Sequence, residues 1–304
     1  MEEQKYKIIF IDIDGTLVND EKQVTQRTIN TIKKLKEKGI ITVLTSGRPY
    51  GSIEKYSIQC DAMPYLIGSK GAITRNIEKD EDFFIKNLEK QKVLEILKII
   101  RKNNLYTTIT VSGNIITDTQ KYGLIPEYRP EIIETESLEE YIDKIERPII
   151  KFSIVDEEKE KLENIRKELI DKFDITMTPV DIMGLTQKQR KVKNGYISNP
   201  YITDIMAPNT TKGDAIRNLS KYLKIDLSQT IAITTKSLNS SFNILYSSQE
   251  YNPSKITFPS LYSFFILGNR SFATTPIPCS FLILSLNSFW LSGVISIPSS
   301  LILS

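Results

Sequence analysis

The stretch KIIFIDIDGTL, residues 7–17, limits the fold more than any other part of the chain. Its first seven residues are almost wholly apolar and rich in isoleucine, which fits a strand covered on both faces, and an acidic, glycine-containing turn ends it. TQRTINTIKKLKEK (25–38) follows with Ile29, Ile32 and Leu35 at helical spacing, and Gly39 reads as the stop. ITVLTS (41–46) is then a second buried strand. Strand, helix, strand in this order asks for a right-handed crossover between parallel strands, so the expected class is α/β with a parallel sheet. GSIEKYSI (51–58) adds a helix and PYLIGS (64–69) a third strand.

From residue 82 the pattern changes. VLEILKII (93–100) is helical, LYTTITVSGNIITDT (105–119) suggests a hairpin around Ser112-Gly113-Asn114, and IIKFSIVD (149–156) reads as a strand. A helix over 158–173 carries Leu162, Ile165, Leu169 and Phe173 on one face, and ITMTPV (175–180) resumes a strand. Residues 82–198 therefore read as an inserted α+β unit, with QKQRKVKNG (187–195) as a solvated basic loop. TKGDAIRNLSKYLKI (211–225) is a helix capped by Thr210 or Thr211, and QTIAI (229–233) returns the chain to the first sheet. The expected units are 1–81 with 199–233 as the core, 82–198 as the insertion, and 234–304 as an atypical tail.

Forty basic and 37 acidic side chains give a formal charge of +3, which argues against nucleic acid or an anionic membrane as partner and favours a small molecule. The chain has no histidine, so any catalysis rests on carboxylates, lysine or hydroxyls. Cys60 and Cys279 form no framework or metal pair by spacing, and with a charged N-terminus they favour a reducing, cytoplasmic setting. The charge is unevenly spread. Residues 234–304 hold four charged side chains, Lys236, Glu250, Lys255 and Arg270, beside 17 serines. Residues 281–304 are long and apolar enough to raise a membrane span, but Pro298 and the serines make it a poor one, and no membrane partner is expected.

The sharpest chemical signal is DIDGTL, Asp12 to Leu17, at the carboxyl end of the first strand. Aspartates at i and i+2 of such a turn can face one pocket, and Gly15 lets the backbone fold tightly with its amides near an anion. Open parallel sheets bind ligands outside these strand ends. Together with LTSGRP (44–49) and Lys212 in NTTKGDA, this order of motifs resembles the haloacid-dehalogenase superfamily of phosphatases, in its Cof-like branch with a C2-type cap inserted between the second and third motifs. The resemblance covers residues 5–233 and implies a Rossmann-like parallel sheet core with an inserted α+β cap.

That resemblance implies Asp12 as a nucleophile that takes the phosphoryl group and Asp14 as general acid/base. It implies Ser46, Gly47 and Arg48, with Gly15, around the phosphate, and Lys212 neutralising charge between nucleophile and phosphate. Mg2+ is the implied cofactor, held in part by Asp12 and by Asp14, and the implied substrate is a small phosphorylated metabolite such as a sugar phosphate or nucleotide. The physical chemistry agrees: a carboxylate nucleophile divides hydrolysis into two easier steps, and an anionic transition state beside it needs preorganised cations. SKGA (69–72) is similar to a loop of this branch, with Lys70 where asparagine is usual.

The fourth motif departs from the pattern. Family members place Gly-Asp, two residues, then Asn-Asp after this strand, acids that complete an oxygen-rich Mg2+ site. Here Thr234, Thr235, Lys236, Ser237, Leu238 and Asn239 stand there, without a carboxylate. Because composition changes at the same residue and stays changed, 234–304 reads as out of register or foreign, and impaired catalysis is expected. A non-catalytic phosphate-metabolite binder is the alternative.

Overall fold

The computed structural model describes residues 6–19, 21–119, 131–183 and 200–234. The chain opens with strand β1 (Ile8–Asp12), helix α1 (Gln26–Glu37), strand β2 (Ile41–Thr45), helix α2 (Tyr50–Cys60) and strand β3 (Tyr65–Gly68). Ile8 and Phe10 on one face of β1 and Ile9 and Ile11 on the other are all buried, which is why the run carries no polar alternation. Thr25 caps α1 by accepting the Thr28 N–H, and Gly39, at φ 75°, allows the reversal into β2.

A tight turn at 69–71 follows β3, then β4 (Ile73–Asn76) runs antiparallel to β3 and β5 (Glu81–Ile85) antiparallel to β4. The middle of the chain holds α3 (Lys90–Lys102), β6 (Tyr106–Val111), β7 (Asn114–Thr117), β8 (Ile132–Glu134), α4 (Leu138–Lys144), β9 (Ile149–Asp156), α5 (Lys159–Lys172), β10 (Thr176–Met177) and β11 (Asp181–Ile182). After β12 (Tyr201–Met206) come α6 (Lys212–Tyr222) and β13 (Thr230–Ile233).

These strands form two sheets. The first runs β13-β1-β2-β3-β4-β5, with β13, β1, β2 and β3 parallel. Helix α6 covers one face through Ala215, Ile216 and Leu219 against Ile8, Phe10 and Val43, while Ile29, Ile32 and Ile53 of α1 and α2 pack on the other. The second sheet runs β10-β12-β9-β6-β7-β8, with β11 also paired to β12, and every pairing but β7 with β8 is antiparallel. Its core gathers Ile96, Leu97, Ile109, Phe152, Leu162 and Leu169 from α3, α5 and the strands between them.

Two strands fall across the expected boundaries. β5 extends the first sheet although the insertion was expected to begin at 82; Phe83 packs edge-on to Tyr65 and near Tyr222, a tertiary contact that no local pattern announces. β12 lies inside the second sheet, paired to β9 from Tyr201↔Asp156 to Ile205↔Phe152, although 199 was expected to reopen the core. The expected hairpin around Ser112-Gly113-Asn114 forms as β6 and β7. Of ITMTPV only Thr176–Met177 is strand. The basic run 187–195 and residues 235–304 lie outside the described residues.

The sheets touch where α2 meets the β6–β7 turn. Gly51 and Gly113 approach so closely that a Cβ on Gly51 would stand 2.9 Å from the Gly113 carbonyl oxygen. Ile150 of β9 is buried with Ala72 and Ile73, and Tyr50 packs on all three. Lys86 donates to the Asn209 carbonyl at 2.5 Å, joining the two segments that run between the sheets.

Candidate active site

Register brings the sequence-predicted residues to one edge. β1 pairs with β2 from Ile8↔Ile41 to Asp12↔Thr45 and with β13 as far as Ile11↔Ile233, so Asp12, Ser46 and Thr234 emerge together at the carboxyl ends of parallel strands. Asp12 is 3 % exposed, and its Oδ1 accepts from Lys212 Nζ at 2.7 Å and from the Ile13 N–H at 3.0 Å. Lys212 is the first residue of α6, which Thr211 caps by accepting the Asp214 N–H. The Thr234 hydroxyl donates to Asp12 Oδ2 at 3.4 Å. A buried carboxylate thus has a buried ammonium from 200 residues away and a hydroxyl on its other oxygen.

Past Asp12 the chain turns tightly, with Leu17 N–H donating to the Asp12 carbonyl at 3.1 Å and Gly15 at φ 73°. A left-handed residue is what this reversal requires, and glycine supplies it without steric cost. The turn swings Asp14 toward α2. Arg48 Nε donates to Asp14 Oδ2 at 2.9 Å and Nη2 to Oδ1 at 2.6 Å, a bidentate fork, and Lys22 Nζ adds a bond to Oδ1 at 3.1 Å. Burial alone would raise the Asp14 pKa; the Arg48 hydrogen bonds and charge, with Lys22 behind them, overcome it and lower the carboxyl to about 2.

Ser46 is buried; its Oγ accepts the Arg48 N–H at 3.2 Å and its own N–H donates to the Ile67 carbonyl at 3.0 Å. Gly47 lies under the Lys70 side chain, where a Cβ would stand 3.2 Å from Lys70 Cε. All seven predicted residues, Asp12, Asp14, Gly15, Ser46, Gly47, Arg48 and Lys212, therefore lie in or beside this edge. Sequence reasoning missed Lys22 and Thr234 as partners of the two aspartates. Lys22, in a loop at φ 60°, gave no local signal.

Residues 9–233 match the family model of the haloacid dehalogenase-like hydrolases. The chain belongs to that family. It is 25% identical over 233 residues to a putative phosphatase, YxeH, of Bacillus subtilis, covering 75% of this chain and 80% of that one. It is 23% identical over 237 residues to a putative phosphatase of Streptococcus pyogenes, with the same coverage. Among solved structures, a haloacid dehalogenase-like hydrolase from Bacteroides thetaiotaomicron superposes with a TM-score of 0.59 at 23% identity, covering 76% of this chain and 82% of that one. A sugar phosphatase of subclass IIB of the same superfamily gives 0.57 at 18% identity, covering 75% and 80%. These structural likenesses fix the fold, a parallel-sheet α/β core of the haloacid dehalogenase type.

For a divalent ion the described residues supply part of a site. The Asp12 carboxylate and the Asp14 carbonyl supply hard oxygen donors suited to Mg2+, but the Asp14 carboxylate is taken up by two cations. No three His, Cys, Asp or Glu side chains come together among the described residues. Positions 235–239 lie outside them, and their sequence carries no acid. Among the described residues no helix is long and apolar enough to cross a membrane.

Proposed function

We propose that this chain is a phosphomonoester hydrolase of small phosphorylated metabolites, sugar phosphates or nucleotides, working through an aspartyl phosphate on Asp12. The observation that carries the reading is the buried Asp12–Lys212 pair at 2.7 Å on the carboxyl edge of the parallel sheet. Asp12 is held with one oxygen on Lys212, so its other oxygen, Oδ2, is the one to attack phosphorus. The ester P–O bond breaks as the Asp12 O–P bond forms, and Asp14 gives its proton to the leaving oxygen. Asp14 then takes a proton from water as that water attacks the phosphoryl group and releases Asp12. Lys212 and Arg48 face the charge that builds on phosphorus.

Asp14 as held by Arg48 is ionised, which suits the second half of this sequence. An arriving phosphate offers Arg48 another bidentate partner; with the guanidinium drawn away, burial and the phosphate's negative charge both favour a neutral Asp14, which takes up a proton from water as the substrate binds and gives that same proton to the leaving oxygen. Ser46 would donate to a phosphoryl oxygen once its hydroxyl proton turns outward.

Mg2+ bound by Asp12 and the Asp14 carbonyl would supply neutralisation of the phosphoryl oxygens. With no carboxylate at 234–239, such binding is weak, and turnover of this chain is impaired relative to a member with the full set. The same feature favours a second reading, a phosphate-metabolite binder without turnover: Thr234, a neutral hydroxyl, is what flanks Asp12 Oδ2. The test is hydrolysis of p-nitrophenyl phosphate and a panel of sugar phosphates and nucleotides with Mg2+, comparing the chain with Asp12→Asn. Turnover lost in that variant supports the enzyme. Thermal stabilisation by a metabolite without turnover supports the binder.

A further inference from the structure

The turn at 69–71 meets the Ser46–Arg48 segment, the start of α6 and the second sheet. Ser69 N–H donates to the Arg48 carbonyl at 2.8 Å and Lys70 N–H to the Ser46 carbonyl at 3.0 Å. Gly71, at φ 99°, lies against the start of α6, where a Cβ would meet the Thr211 carbonyl oxygen at 2.2 Å. Ser69 and Lys70 also have positive φ, 48° and 60°, conformations that non-glycine residues hold only when surrounding contacts fix them. One such contact comes from the other sheet. Lys70 Nζ stands 2.9 Å from Asp204 Oδ2 of β12.

Asp204 is 4 % exposed and gathers three partners: Lys70, Lys151 Nζ at 3.3 Å and the Ser153 hydroxyl at 2.6 Å. Lys151, on β9, also donates to the Gly47 carbonyl at 3.3 Å. One buried carboxylate on the second sheet is therefore linked by two ammonium groups to both sides of the Ser46–Gly47–Arg48 segment. A charge so buried stays only where its partners are held in place, which makes the link directional and not a surface accident.

We infer that Asp204 is a positioning residue for the phosphate-binding segment: through Lys70 and Lys151 it fixes the backbone of Ser46, Gly47 and Arg48, so that seating of the second sheet sets the geometry of the cleft. The inference rests on the phosphatase reading for what that segment binds, but not for the link itself. Lys70 supplies the reach from the first sheet to Asp204.

Amide hydrogen exchange on the full chain tests the link, comparing Asp204→Asn and Lys70→Gln with the unaltered protein. Lys70→Gln keeps the inner part of the stem over Gly47 and removes the charge together with one atom of reach, so it serves should Asp204→Asn not fold. We expect the Ser69 and Lys70 amides to exchange about ten-fold faster in both variants, with the Ile8–Asp12 amides unchanged. Inorganic phosphate affinity, by calorimetry, should fall about ten-fold alongside and recover in Asp204→Glu. Unchanged exchange at 69–70 in Lys70→Gln overturns the inference, as does equal acceleration in Ile8–Asp12, which would mark a general loss of stability. Absence of phosphate binding in the unaltered chain defeats the phosphatase reading instead, while the exchange result still decides the link.

Discussion

Two carboxylates in this molecule each hold two cations, and they are built for different work. Asp14, at the mouth of the cleft, is about one-third exposed and bound by Arg48 and Lys22, both on mobile-length side chains from the same sheet unit. Asp204 is buried between the sheets and bound by Lys70 and Lys151, one from each. Water beside Asp14 can replace either cation at little cost, so its pairing is exchangeable. Asp204 itself is almost fully buried and so is Lys151, so water has no such access to this carboxylate even though Lys70 is partly exposed. Identical chemistry thus yields one carboxylate whose cations water can reach and one that is held away from it.

The sharpest way to break this comparison is truncation. Asp204→Ala takes the carboxylate away from the nearly buried Lys151 ammonium and should cost about 3–5 kcal/mol in urea denaturation, whereas Asp14→Ala should stay within about 1 kcal/mol. Equal losses would erase the distinction. Acid titration comes next in size. Burial opposes ionisation of Asp204, but the charges of Lys151 and Lys70 and the Ser153 hydrogen bond outweigh it, so its folded pKa lies below the unfolded value, as does that of Asp14 at about 2. Both contributions are fully present above about pH 4 and are withdrawn as pH falls toward and below 2, since protons then bind the unfolded chain first. Thermal unfolding followed from pH 5 to pH 2 should show the decline, and Asp204→Asn should show a shallower one. The smallest effect is expected for Lys22→Ala, about 0.2–1 kcal/mol, because the Arg48 fork remains. A larger loss would mean that Lys22 and Arg48 act as one unit.

The same contrast marks what could be read in advance. The parallel core was legible because β1, β2 and β3 are apolar runs broken by turns, and Asp12 was legible as an acid ending a buried strand; Ser46 and Lys212 were picked out only by the resemblance of their motifs to the family's, in order behind DIDGTL. Which cation holds which aspartate was not, since Lys22 reaches Asp14 through a loop whose path no periodicity encodes. β5 was assigned to the wrong unit because its neighbours, Tyr65 and Tyr222, are distant in sequence. Lys151 and Asp204 did leave a trace. Each is a single charge inside an otherwise apolar strand, IIKFSI and ITDIM, and a lone charge in such a run asks for a partner of opposite sign. Pairing the two by sign would have joined β9 to β12 before any coordinates.

The approach of Gly51 to Gly113 bears on how the protein can vary. Where two backbones meet without side chains, the contact has no padding, and its tolerance is a fraction of an ångström. A methyl at Gly113 would press on the Tyr50 ring at 2.9 Å and act as a shim at the point where the β6–β7 turn rests on α2. Drift in this pair of glycines would reset the resting gap of the cleft while leaving every charged group unaltered, giving selection a dial on access that is separate from the chemistry.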